Sequence, residues 1–242
     1  MDRRHFTLAT TGTLVALGLA ACKPKEAAAP AATNNAPTPA PAATTVSVPP
    51  AIDATTLKAG KDYIEVNPAV ADNTPQGKAS VVEFFGYWCP HCNVFEPEFA
   101  AWAKAAPTSV NVVRVPVAFR PEMVPLQRMY YALEALDKVE AAHAKVFHAL
   151  HVEKQQLYSD DAVLAWAAKQ PELGGDAFVQ AYKGFGINAK IAQADAMAKG
   201  YQISGVPCLG VAGKYLVSGE QAGSGARMLQ IAQALAVQAA KG

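Results

Sequence analysis

The feature that most constrains this chain is a change of pattern around residue 86. Ser80-Val81-Val82-Glu83-Phe84-Phe85 is rich in β-branched and aromatic residues and reads as a strand. After Gly86-Tyr87-Trp88 comes Cys89-Pro90-His91-Cys92, and from about Pro90 to Ala105 the sequence reads as a helix ended by Pro107. Two cysteines three apart in the first turn of a helix can meet and close a disulfide. Cys89 falls at the helix N-terminus, among unpaired backbone N–H groups and the positive end of the dipole. Both favour a thiolate, so its pKa should be depressed. Pro90 suits the first helical position, where its missing N–H had no partner anyway. His91 adds a donor or a positive charge near the sulfur. A stabilised thiolate leaves easily and lowers the energy of the reduced form, so a disulfide here accepts electrons readily. The local chemistry favours an oxidant over a reductant.

Val110–Val117 reads as the next strand, which completes a β-α-β unit. In that setting a C-x-x-C pair points to a thioredoxin-like site. Lys61–Val66 reads as an edge strand. From Pro121 to Tyr201 the pattern is helical. Val139, Ala142, His143, Val146, Phe147 and Leu150 share one stripe at helical spacing. Ser159 can cap the next helix and Pro171 follows its end. Gly184 and Gly186 break the pattern, and Asn188 can cap a further helix. Pro207–Val211 and Lys214–Val217 then flank Ala212-Gly213 as a hairpin. Met228, Ile231, Leu235 and Ala239 stripe a closing helix. The expected class is α/β: a thioredoxin-like fold over 58–119 and 203–242, interrupted by a helical insertion over 120–202.

The first 57 residues read differently. Residues 1–22 place Arg3 and Arg4 before an apolar stretch, Leu14 to Ala21, which is the layout of an export signal. Arg3-Arg4-His5-Phe6 partly resembles a twin-arginine motif, and the general secretory route fits as well. Leu19-Ala20-Ala21-Cys22 resembles a bacterial lipobox, which implies acylation of Cys22 and an oxidising compartment. Residues 23–57 are dominated by Ala and Pro, and Ala27 to Ile52 carries no charge. The prolines break any helix the alanines might nucleate. Such a segment buries too little apolar surface to offset its ordering entropy, so it is expected to be a disordered tether.

Overall charge narrows the function classes. The 242 residues carry 21 Lys plus Arg against 20 Asp plus Glu. Removal of Asp2, Arg3 and Arg4 with the leader would leave the chain formally neutral, which argues against a nucleic-acid partner. No purely apolar run approaches the roughly 20 residues of a spanning helix. Four cysteines are too few for a small disulfide scaffold. His143, His148 and His151 do not form a clear three-ligand face, so no metal site is expected. Asn93 after Cys92 breaks the haem-attachment signature, and no glycine loop of the phosphate-binding kind precedes a helix. Trp102 and Trp166 read as core. Tyr87 and Trp88 either rim an apolar peptide groove or pack locally.

Val81–Phe85 followed by Trp88-Cys89-Pro90-His91-Cys92 resembles the active-site stretch of the DsbA family of exported thiol oxidants. Ser204-Gly205-Val206-Pro207, with Gly213-Lys214-Tyr215 after it, resembles the family's proline loop and hairpin. The resemblance implies that Cys89 is the exposed nucleophile and Cys92 the buried resolving partner. It implies a cis Val206–Pro207 bond facing the site, with backbone near Val206 pairing with a bound peptide. It also implies that Glu83, an acid in an apolar strand, lies beneath the disulfide and exchanges a proton with the resolving thiol; a solvated, edge-facing Glu83 is the plain alternative. Glu96 matches a further family acid, or is a helix-surface carboxylate. Cys208 departs from expectation and reads either as a third active thiol or as a small buried strand residue.

The expected protein is therefore a periplasmic, membrane-anchored lipoprotein, an enzyme that introduces disulfides into unfolded or translocating cysteine-containing proteins. It would need no cofactor beyond its own Cys89–Cys92 disulfide. A quinone-linked membrane reoxidant of the DsbB type is the implied partner, and a monomer is expected because no dimerisation domain precedes the fold. The alternatives are a reductase or isomerase of the same fold, and a chaperone-like lipoprotein that does not use its thiols.

Overall fold

The computed structural model describes residues 50–71 and 74–242. The expected leader at 1–22, with Cys22, and the spacer as far as residue 49 lie outside the described residues. The fold begins earlier than the boundary expected at residue 58. Asp53 caps a short 3-10 turn, Ala54–Thr56, by accepting from the Thr55 N–H. Ile52, Ala54 and Leu57 pack into the core cluster formed with the C-terminal helix. The Gln230 side chain donates to the Pro50 carbonyl at 3.2 Å. A few apolar side chains at the end of the uncharged run find a seat, and that suffices to order them.

Among the described residues, five strands form one mixed sheet: β1 (Ile64–Glu65), β2 (Ala79–Phe85), β3 (Val110–Pro116), β4 (Cys208–Val211) and β5 (Tyr215–Ser218), in the order β1-β5-β4-β2-β3. The edge strand is much shorter than the expected Lys61–Val66, because only Ile64 and Glu65 pair with β5. β2 is central. It runs parallel to β3 and antiparallel to β4, and every one of its residues is buried. This is why it reads as a near-continuous apolar run, and why a single glutamate in it stands out. The β4–β5 turn holds Ala212 and Gly213, both at positive φ, the requirement of a tight hairpin of matching twist.

Helix α1 (Pro90–Ala105) and helix α8 (Gly225–Ala239) share a core with one face of the sheet. Phe95, Phe99 and Trp102 from α1 meet Leu229, Ile231 and Leu235 of α8 over Val81 and Leu209. Period-two alternation puts Glu83 on the same face of β2 as Val81. Between β3 and β4 lie α2 (Val124–Ala135), α3 (Val139–His151), α4 (Asp160–Ala167), α5 (Asp176–Lys183) and α6 (Phe185–Gly200). Their apolar stripes join Val82, Phe84 and Phe85 in a second core. Ser159 caps α4 as expected from its position. Asn188 does not cap α6: Gly184 does so, and Asn188 sits within the first turns, where it accepts from Arg128. A short α7 (Gly219–Ala222) links β5 to α8.

Candidate active site

The turn between β2 and α1 is built around Gly86. A Cβ there would stand 2.4 Å from Trp88 Nε1, so only glycine lets the indole fold back and donate to the Val117 carbonyl at 3.1 Å. Cys89 follows as the N-cap of α1, with extended φ and ψ of −89° and 118°. Its sulfur takes the role usually played by a cap oxygen, accepting the Cys92 backbone N–H at 3.4 Å. Pro90 occupies the first helical position. Both cysteines are free thiols, which is the geometry of the reduced site, and both are buried: Cys89, expected to be exposed, keeps 3% of its surface because it sits under the Val206 carbonyl and in the first turn of α1, and Cys92 keeps none.

The two sulfurs are electrically unlike. Cys89 is pulled down to about 6, first by the hydrogen bond from the Cys92 side chain; burial opposes, and the backbone N–H groups of Cys92 and His91 and the charge of His91 assist. Cys92 is driven far above an ordinary thiol, first by burial, then by its bond to Cys89 and by the neighbouring negative charges. The Cys89 thiol also donates to the Val206 carbonyl at 3.3 Å. The Val206–Pro207 bond is cis, and both residues are half-buried. A second cis bond, Asn67–Pro68, carries no sequence signal that announces it.

Glu83 is fully buried and not solvated, with 1% of its surface exposed. It stands opposite Arg114 in the parallel β2–β3 register, and Arg114 Nε donates to Glu83 Oε2 at 3.1 Å. Burial, then repulsion from Glu96, outweighs that attraction and pushes Glu83 up to about 8. Glu83 is therefore mostly protonated at neutral pH while its charge, when present, raises Cys92. Glu96 lies in the same buried network: Arg114 Nη2 donates to its Oε1 at 2.7 Å, and His143 Nε2 stands 3.3 Å from its Oε2. The chain of contacts continues through His143 Nδ1 to the Tyr87 hydroxyl at 2.7 Å. His151 Nε2 reaches the Tyr87 carbonyl at 2.8 Å. Two histidines of the helical block thus grip the residue two places before Cys89.

Tyr87 does not rim a groove; it is buried against Phe85, His143 and Phe147. Trp88 is half-buried and packs edge-on against the exposed Phe119. Arg114 escapes sequence reasoning, although a charged residue in the apolar run of β3, at the same depth as Glu83 in β2, was the available signal. Cys208 is buried, its thiol donating to the Gly205 carbonyl at 3.0 Å, and burial pushes it up to about 12. His148 is a surface residue beside Glu153. Among the described residues, no three His, Cys, Asp or Glu side chains are grouped as metal ligands would be.

A groove of about 570 Å³ opens beside this turn. Its walls are the outward stripe of α1 from His91, the 204–208 segment with Val206 and Pro207, and the β5–α8 connection. It leads from the redox turn along α1.

The DsbA-like thioredoxin domain matches residues 80–236. Over 187 residues the chain is 38% identical to the thiol:disulfide interchange protein DsbA of Bordetella pertussis, covering 76% of this chain and 87% of that one. The crystal structure of Pseudomonas aeruginosa DsbA superposes with a TM-score of 0.72 at 32% identity, covering 77% of this chain and 96% of that chain. The oxidoreductase NmDsbA1 of Neisseria meningitidis gives a TM-score of 0.70 at 26% identity, covering 78% of this chain and 97% of that chain.

Proposed function

The chain belongs to the DsbA-like thioredoxin family and is a protein thiol:disulfide oxidoreductase; from that premise we propose that it works as an exported oxidant of cysteine pairs. The observation that carries this direction of electron flow is the contrast between Cys89, lowered to about 6, and Cys92, raised far above the ordinary range. A low value at the Cys89 sulfur stabilises the reduced form and makes Cys89 the better leaving group in the final step.

The step runs as follows. A substrate thiolate attacks Cys89 Sγ of the enzyme disulfide, forming a substrate–Cys89 bond and breaking Cys89–Cys92. The electron pair goes to Cys92, which takes a proton. Glu83, neutral below about 8 and buried beneath the site, supplies it. A second substrate thiolate then attacks the substrate sulfur of the mixed disulfide and expels Cys89 as a thiolate. The substrate has lost two electrons and the enzyme holds them as a dithiol. Backbone at Val206 and Pro207 positions the substrate chain, and the groove along α1 receives it. Re-oxidation falls to a quinone-linked membrane protein of the DsbB type. Acylation at Cys22 would keep a monomeric enzyme at a periplasmic membrane face, within reach of such a partner and of translocating chains. No cofactor beyond the Cys89–Cys92 pair enters this cycle.

The test is covalent trapping. With Cys92→Ala, a cysteine peptide supplied as its mixed disulfide with a small thiol should be attacked by the Cys89 thiolate, release the small thiol and remain linked to Cys89, as read by peptide mass mapping. Linkage at Cys208, or none at all, would overturn the assignment. The mass of the mature N-terminal peptide tests the anchor, and an unmodified residue other than Cys22 at that end would refute it.

A further inference from the structure

The α1 wall of the groove is formed by His91, Val94, Phe95 and Glu98, spaced as one helical face. Glu98 is the anomaly on this wall. Its Oε2 is shielded from solvent and has no hydrogen-bond partner. It rests against Gly225, where a Cβ would lie only 2.7 Å away, so glycine there leaves the carboxylate its seat. Glu220 lines the same groove, and among the described residues neither Lys nor Arg does. A carboxylate oxygen withdrawn from water without a partner is costly. An incoming cation would relieve that cost.

We propose that Glu98 is a specificity-determining residue that favours substrate segments carrying Lys or Arg three or four residues from the reacting cysteine. This rests on the reading of the groove as the path of the substrate chain. Glu98 lies nine residues beyond Cys89, about 13 Å along the helix axis. An extended peptide linked at Cys89 covers that span in about four residues. The long side chain of Lys or Arg lays its methylenes over Val94 and Phe95 while its charged end reaches the carboxylate.

The experiment measures oxidation of dithiol peptides by the oxidised protein. The peptides are identical except for Lys, norleucine or Glu at the third and fourth positions on either side of the first cysteine. On one side, Lys should exceed norleucine about fivefold in kcat/KM at low salt, with Glu slowest, and about 0.5 M salt should shrink the ratio. Glu98→Gln should bring the Lys-to-norleucine ratio close to one. An indifferent wild type, or a Glu98→Gln protein that keeps the ratio, would overturn the assignment. Val94→Arg, which alters an exposed position on the same wall, should slow the norleucine peptide. If Val94→Arg leaves every peptide unaffected, the groove is not the substrate path and both readings fail. If it slows them while wild type shows no Lys preference, only the role of Glu98 fails.

Discussion

Replacing Cys92 tests where the reactivity of Cys89 comes from. A thiol held at about 6, against an ordinary 9.0, is roughly ten parts thiolate to one part thiol at pH 7. An unperturbed thiol would be ionised to about one part in a hundred. The largest source of the drop is the hydrogen bond from the Cys92 side chain; the Cys92 backbone N–H, at 3.4 Å, and His91 contribute less. Cys92→Ala removes only the first. It should move the Cys89 midpoint upward while leaving it below the ordinary value, because the cap N–H groups remain. Cys92→Ser restores a donor at the same place and should bring the midpoint most of the way back. The assay is the pH dependence of Cys89 alkylation, followed on the Cys89 peptide by mass so that Cys208 does not interfere. If alanine leaves the midpoint at about 6, or if serine behaves as alanine does, the side-chain donor is not the source and the reasoning fails.

The same shift has a consequence for stability. A value lowered by folding adds stability that is present above the unfolded value and lost as pH falls through about 6. The full shift is worth at most about 4 kcal/mol. Unfolding of the reduced wild type minus that of Cys89→Ala should therefore shrink between pH 8 and pH 5.

Glu83→Gln removes a carboxyl whose value is raised, so the sign reverses: the neutral form is favoured, and stability is lost as pH rises through about 8. The variant should be more stable than wild type by up to roughly 3 kcal/mol at neutral pH in urea titrations, yet slower in substrate oxidation, most of all below pH 8. Arg114→Met leaves the buried Glu83 and Glu96 without the guanidinium that bonds both and should cost about 3–5 kcal/mol, read as a lower urea midpoint. Cys208→Ala should leave the oxidation rate unchanged, because a buried thiol pushed up to about 12 is no nucleophile at neutral pH; a large loss of rate would give that sulfur a direct role.

The parts of the fold legible in the sequence are those whose residues carry their own local physics. β2 announces itself through a run of β-branched and aromatic residues, α1 through Pro90 at its first position, and the β4–β5 turn through Ala212-Gly213. Cys89, Cys92 and the late Val206-Pro207 were legible because each lies in a short motif. What remained hidden depends on which elements meet. Glu83 could be singled out as an acid in a buried strand, but its partner Arg114 lies 31 residues away and becomes visible only with the β2–β3 register. The grip of His143 and His151 on Tyr87 requires α3 to pack against the redox turn, and nothing in a helical stripe names the surface it will cover. The ends of the edge strand and the start of α6 depend on the same kind of meeting. Lys61 turns back onto the Lys58 carbonyl and Val66 bonds only the hairpin turn at Lys214, so neither extends the ladder, and Gly184 could cap α6 as well as Asn188 could.

The central claim is that this site is an oxidant, with the reduced form stabilised at Cys89. The most direct measurement is the equilibrium of the Cys89–Cys92 pair with glutathione at pH 7, read as the fraction reduced across ratios of thiol to disulfide. The account predicts a potential more oxidising than about −200 mV. A value near the roughly −270 mV of a thioredoxin-type reductant would contradict it.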